Sequence, residues 1–149
     1  MDKWYFSLTR VRQEDDNGCG IGATAIVAGV TYARAKAAFF PRSHYDMRDD
    51  EDLHVGPIEI IKALKKLGFS SKIGELTSSY KKEKLPAICM LAWQPFRRDS
   101  LKHSIVWDPF NKKFIDPGTP VELTNKTKYY QDKIMRSNYA PVIVTGKIK

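Results

Sequence analysis

The sequence predicts an α+β fold, with a helical N-terminal part packed on an antiparallel β-sheet. Two observations carry this reading. Helix-period segments come first, ending at Gly68, and short apolar segments of strand length dominate afterwards. Two of those later segments flank an Asp-Pro turn and form a hairpin, which is an antiparallel unit.

The elements follow in order. Trp4, Phe6 and Leu8 alternate and suggest a short first strand. Gln13–Gly18 is polar and turn-rich, hence a loop. Ile21–Val30 is a compact helix of small and apolar residues. Tyr32–Phe40 is a second helical piece, stopped by Pro41. Arg42–Val55 is polar and contains the acidic run "DMRDDEDLH". Carboxylates at such irregular spacing define no metal geometry, so the run is expected to be a solvated loop. "GPIEIIKALKKLGF" is an amphipathic helix opened by Pro57 and closed by Gly68. Its apolar face is expected to be Ile58, Ile61, Leu64 and Leu67. "SSKIGEL" suggests a short strand and "LPAICMLAW" a buried one. "HSIVW" and "KKFID" form the hairpin. "TKYYQDKIMRSNY" is helical or irregular, and "PVIVTGKI" is the last strand.

The chain has 149 residues, so a single domain over residues 1–149 is expected. That length supports a core without disulfides or a bound metal. No apolar run approaches the roughly 18–20 residues of a membrane span. No secretory h-region opens the chain, so a cytoplasmic protein is expected, with delivery to another cell or a host as the alternative. Cys19 and Cys89 are accordingly expected to be free thiols. Net charge is +8, but the lysines and arginines are dispersed and no helix carries a one-sided basic stripe. The charge fits solubility and steering, with nucleic-acid binding as the lesser reading. Nothing in the sequence fixes an oligomeric state.

Cys19 lies between two glycines at a loop-to-helix junction. Unpaired backbone N–H groups and the helix dipole concentrate positive potential there, which favours the nucleophilic thiolate. The alternative is a small buried cysteine at a crowded crossing. Gly18 is expected to leave room for a substrate backbone, and Gly20 to allow tight helix packing.

A nucleophilic cysteine needs a base, usually a histidine held by a third group. His44 and His54 lie in the polar loop, whereas His103 opens the strand "HSIVW". Taking Asp108–Asn111 as a four-residue turn pairs Trp107 with Lys112, Ile105 with Phe114, and His103 with Asp116. Opposed residues share a face, so His103 and Asp116 lie together beside Ile105, Trp107 and Phe114. A carboxylate there can fix the imidazole tautomer and stabilise the imidazolium. Asp108 is the rival third member, although it already opens the turn. Gln13 can add a side-chain donor to the Cys19 backbone N–H for a developing oxyanion; the alternative is a solvent-exposed glutamine.

Together these residues resemble a papain-like cysteine peptidase, and most nearly the branch that removes double-glycine leader peptides from bacteriocins. That pattern has a Gln six residues before a Cys-Gly pair, a helix of small residues, a later strand His, and an Asp-Pro on the next strand. Here "QEDDNGCGIGATA" supplies Gln13 and Cys19, and "HSIVWDPFNKKFIDPG" supplies His103 and Asp116-Pro117. The resemblance spans roughly Gln13 to Gly118 and departs at Gly18, where the family often has Asp. It implies a papain-like fold and a bacterial or phage thiol hydrolase of peptide or isopeptide bonds. Cys19, His103 and Asp116 would be catalytic, Gln13 would serve the oxyanion hole, and no metal or cofactor would be needed. The substrate would be a protein or peptide. A papain-fold deamidase, acyltransferase or toxin-type effector is the first alternative, and a silent basic binding module the second.

Overall fold

The computed structural model describes residues 8–15, 18–40, 55–75, 84–92, 102–118 and 140–148. Among the described residues three helices precede five strands: α1 (Cys19–Ala28), α2 (Tyr32–Phe39), α3 (Pro57–Lys66), β1 (Phe69–Ile73), β2 (Ala87–Ala92), β3 (Lys102–Asp108), β4 (Lys113–Ile115) and β5 (Val142–Lys147). The expected strand around Trp4 and Phe6, His44, His54, the acidic run and the segment "TKYYQDKIMRSNY" lie outside the described residues.

Helix α1 is apolar on every side, and Cys19 through Val27 are buried, as expected of a helix enclosed by its neighbours. It begins two residues before Ile21 because the Gly18 carbonyl already accepts the Gly22 N–H at 2.8 Å. Gly29 ends it in the left-handed region, at φ 66°, and its N–H returns to the Ala25 and Ile26 carbonyls. Helix α2 is capped by the Thr31 side chain, which accepts from the Arg34 N–H at 3.2 Å.

Helix α3 starts on Pro57, as its sequence predicts, and Leu64, Ile61 and Leu67 of the expected face meet the core, but Ile58 does not. Ile60, Ala63 and Leu64 are buried, whereas Ile58 is 62% exposed. The buried face is the expected one rotated slightly, with Ile60 and Ala63 taking the place of Ile58. This face packs against β1, α1 and α2.

The five strands form one antiparallel sheet in the order β1-β5-β2-β3-β4. The last strand therefore inserts between the first and second. A bulge between Ser70 and Ser71 adjusts the β1–β5 ladder. The β3–β4 register differs from the expected one: Trp107 faces Phe114, and Asp108 faces Lys113. The four-residue loop is thus Pro109–Lys112, one residue later than the Asp-Pro signal suggests. Asp108 caps this loop, its Oδ1 accepting from the Phe110 and Asn111 N–H groups at 3.1 Å each. The resulting two-residue slip in pairing preserves the face of every side chain. Trp107 and Phe114 consequently pack ring against ring, with centroids 4.8 Å apart.

The main core joins Ile26 and Val27 of α1 and Ile60 and Leu64 of α3 to the sheet residues Ile88, Ile105, Phe114 and Val142. Cys89 is wholly buried in this core, and neither it nor Cys19 forms a disulfide. A second cluster of Ile21, Ala25, Tyr32, Ala35 and Phe40 fastens α1 to α2.

The two faces of α3 can be told apart by denaturation. Leu64→Ala is expected to cost about 2–5 kcal/mol of unfolding free energy, as for other buried leucines. Ile58→Ala should change it by less than about 0.5 kcal/mol.

Candidate active site

Cys19 is the first residue of α1 and is nearly buried, at 8% exposure. The flanking glycines make that placement possible. A Cβ at Gly20 would overlap the Val55 side chain, and one at Gly22 would lie 2.6 Å from Pro117 Cβ. Gly20 therefore serves tight packing, as expected. Gly18 does not leave the expected clearance for substrate, because a Cβ there would overlap the Tyr32 hydroxyl.

The structure brings His103 and Asp116 into direct contact, with His103 Nε2 2.9 Å from Asp116 Oδ1. With Nε2 so engaged, Nδ1 is the ring atom available to Cys19. The two carriers are diagonal rather than opposed across the hairpin, as the two-residue slip requires. Asp116 is 1% exposed, and its Oδ1 also accepts the Gly118 N–H at 2.7 Å. Its contacts with His103 and the Gly118 N–H compensate the burial of this carboxyl group. Asp108 is also buried, but its Oδ2 is committed to Asn111 Nδ2 at 2.8 Å and its Oδ1 to the turn. It stands with the loop and not with the imidazole.

Burial alone would push the Cys19 thiol up. A hydrogen bond from His103, the charge of that ring, and backbone and side-chain contacts with Ser104 outweigh it, so the pKa falls below the ordinary thiol value. Burial would likewise lower His103. Hydrogen bonds to Asp116 and Cys19, with the charges of both, raise it instead to about 9. The two shifts run in opposite directions, and both favour a thiolate beside an imidazolium.

Gln13 arrives from the N-terminal segment, which is stitched to the turn after β4. The Gln13 N–H donates to the Pro117 carbonyl at 2.9 Å. Arg10 donates from Nε to the Asp116 carbonyl at 2.7 Å and from Nη2 to the Pro117 carbonyl at 3.3 Å. The Gln13 side chain is half-buried and donates from Nε2 to the Asp15 carbonyl at 2.9 Å. Gly118 marks where the predicted residues converge. A Cβ there would lie 2.8 Å from Gln13 Oε1 and 3.3 Å from both Asp116 Oδ1 and His103 Cε1.

Four residues of this neighbourhood carry little or no sequence signal. Ser104 alternates with His103 along β3, so strand periodicity assigns it to the other face. Arg10 acts on backbone carbonyls, which no side-chain pattern encodes. Tyr32 and Lys36 reach the Gln13–Cys19 loop from α2. Their one trace is the glycine at position 18, where the resembled family often carries Asp.

No family model matches the sequence, and no curated protein matches it. Solved structures do match. One is the peptidase domain of Streptococcus ComA, a bi-functional ABC transporter involved in a quorum-sensing pathway. Its TM-score is 0.61 at 16% identity, over 95% of this chain and all of that one. Another is a double-glycine-motif protease from an AMS/PCAT transporter, solved in complex with the leader peptide. Its TM-score is 0.53 at 13% identity, over 95% of this chain and 93% of that one. The fold is papain-like. The helix-first order and antiparallel sheet expected from the sequence are those of this papain-like architecture, and Cys19 occupies the start of its first helix. Among the described residues, no helix is long and apolar enough to cross a membrane.

The charge coupling predicts a reactivity profile. A lowered pKa keeps the Cys19 thiolate present as pH falls below the ordinary thiol range of about 8.5. Iodoacetamide should therefore alkylate Cys19 with a midpoint below that range, and His103→Ala should move the midpoint up. A wild-type midpoint at or above 8.5 would contradict the coupling.

Proposed function

We propose that residues 1–149 form a single papain-like domain that acts as a cysteine-dependent hydrolase of peptide or isopeptide bonds. The observation that carries this reading is the contact series from Cys19 through His103 to Asp116, with the thiol pKa lowered and the imidazole pKa raised. The PCAT protease was solved with a leader peptide, which supports a peptide as the substrate class.

In this mechanism the Cys19 thiolate attacks the carbonyl carbon. A C–S bond forms and the carbonyl π pair moves onto oxygen. The Cys19 backbone N–H, at the start of α1, and the Gln13 amide stabilise that oxyanion. His103 then gives its proton to the amine nitrogen, the C–N bond breaks, and a thioester remains. Water next attacks the thioester while His103 takes its proton, the C–S bond breaks with its electron pair returning to sulfur, and the acid product leaves with the Cys19 thiolate and His103 imidazolium restored. Asp116 holds the ring orientation and stabilises the imidazolium at both proton transfers.

Cys19→Ala should abolish turnover of a peptide library read by mass spectrometry, with the fold retained. Asp116→Asn should lower kcat by roughly 10²–10⁴-fold. Gln13→Ala should lower it by about 10²–10³-fold. Activity should fall on the acid side as the thiolate is protonated. It should also fall on the alkaline side near pH 9, as His103 loses the proton needed by the leaving amine. Full activity in Cys19→Ala would end the proposal. Product mass separates net hydrolysis from transfer to another acceptor.

A further inference from the structure

Asp15 lies between Gln13 and Cys19 and ties that loop together through two different groups. Its backbone carbonyl accepts from Gln13 Nε2 at 2.9 Å and from the Gly18 N–H at 3.0 Å. Its carboxylate Oδ2 accepts from the Tyr32 hydroxyl at 2.8 Å and from Lys36 Nζ at 3.0 Å. Tyr32 and Lys36 are four residues apart on α2, so both donors project from one helical face. Tyr32 is 3% exposed and belongs to the cluster that fastens α2 to α1. Burial, and then its bond to Asp15, hold the phenol well above its ordinary pKa, so it stays a proton donor. Gly18 supplies the space for the phenol, because any Cβ there would meet its hydroxyl.

We propose that Asp15, anchored on α2 by Tyr32 and Lys36, is a positioning residue that aims the Gln13 amide at the reacting carbonyl. The inference rests on the reading of Gln13 as an oxyanion donor. The same Asp15 unit receives the Gln13 amide through its carbonyl and is pinned to the helix core through its carboxylate. Releasing the carboxylate frees the carbonyl to move, and the amide moves with it. A displacement of about 1 Å at such a donor is enough to cost roughly 10²-fold in rate.

The test compares two reactions of one thiol. Acetyl-glycyl-glycinal is an aldehyde with no side chain to offend unassigned subsites. Cys19 adds to its carbonyl, a C–S bond forms, and the π pair moves onto an oxygen that needs the oxyanion donors. Iodoacetamide alkylates the same sulfur at saturated carbon, expels iodide and creates no oxyanion. Tyr32→Phe and Asp15→Ala are expected to weaken aldehyde binding by about tenfold or more, in the direction of Gln13→Ala. Their iodoacetamide pH midpoint should stay at the wild-type value, and Lys36→Arg should bind the aldehyde like wild type. Adding Tyr32→Phe to Gln13→Ala should give no further loss, since both act on one donor.

Unchanged aldehyde affinity in Tyr32→Phe and Asp15→Ala, beside a clear loss in Gln13→Ala, would overturn the positioning role alone. A shifted iodoacetamide midpoint in those variants would also overturn it, by showing a general disturbance of the site. Aldehyde affinity equal to wild type in Gln13→Ala would overturn the oxyanion reading, and this inference with it.

Discussion

The close approach of α1 to the segments that carry His103 and Asp116 is the contact on which the rest of the site depends. It requires a side chain to be absent at Gly22, while a second glycine, Gly20, admits a different neighbour. Gly20 leaves room for Val55, and Gly22 leaves room for Pro117 next to Asp116. The helix can tolerate these glycines, each costing up to about 1 kcal/mol against alanine, because it is buried on all sides and stabilised by packing. Tertiary contacts rather than propensity therefore hold Cys19 at the imidazole.

Burial of this kind sets the electrostatics. Cys19, His103 and Asp116 are all removed from most solvent, and each alone would be driven towards its neutral form. Placed in contact they reverse that tendency, since every charge in the series faces an opposite one. The helix start adds backbone N–H groups where negative charge is held. Around this line the protein invests in backbone anchoring. Arg10 and Gln13 hold the carbonyls of Asp116 and Pro117 from one side, while Asp108 secures the far end of the hairpin.

The fold class was legible because α3, β2 and β5 announce themselves by period and by their flanking Pro and Gly residues. The hairpin was legible in its consequence but not its register. Asp-Pro located the turn to within one residue, and the resulting slip of two left His103 and Asp116 on one face. The face of α3 was legible through Leu64, Ile61 and Leu67 but not its exact rotation, because Ile58 and Ile60 both satisfy helical spacing and tertiary packing selects Ile60. Gly18 was misread for a related reason. Its space belongs to Tyr32, a residue fourteen positions later, and no local pattern couples the two. What the sequence did mark were residue types whose chemistry is specific: a cysteine at a helix start, a glutamine six residues before it, and an Asp-Pro behind a strand histidine.

The central claim is that Cys19, His103 and Asp116 form one coupled ion pair with its orienting carboxylate. An NMR titration of the His103 ring in ¹⁵N-histidine-labelled protein measures this most directly. Wild-type His103 should titrate near 9, and Cys19→Ala should lower that value because the sulfur's hydrogen bond and charge are removed. A ring that titrates near 6.5 in both proteins, with the Asp116 hydrogen bond still present, would contradict the account.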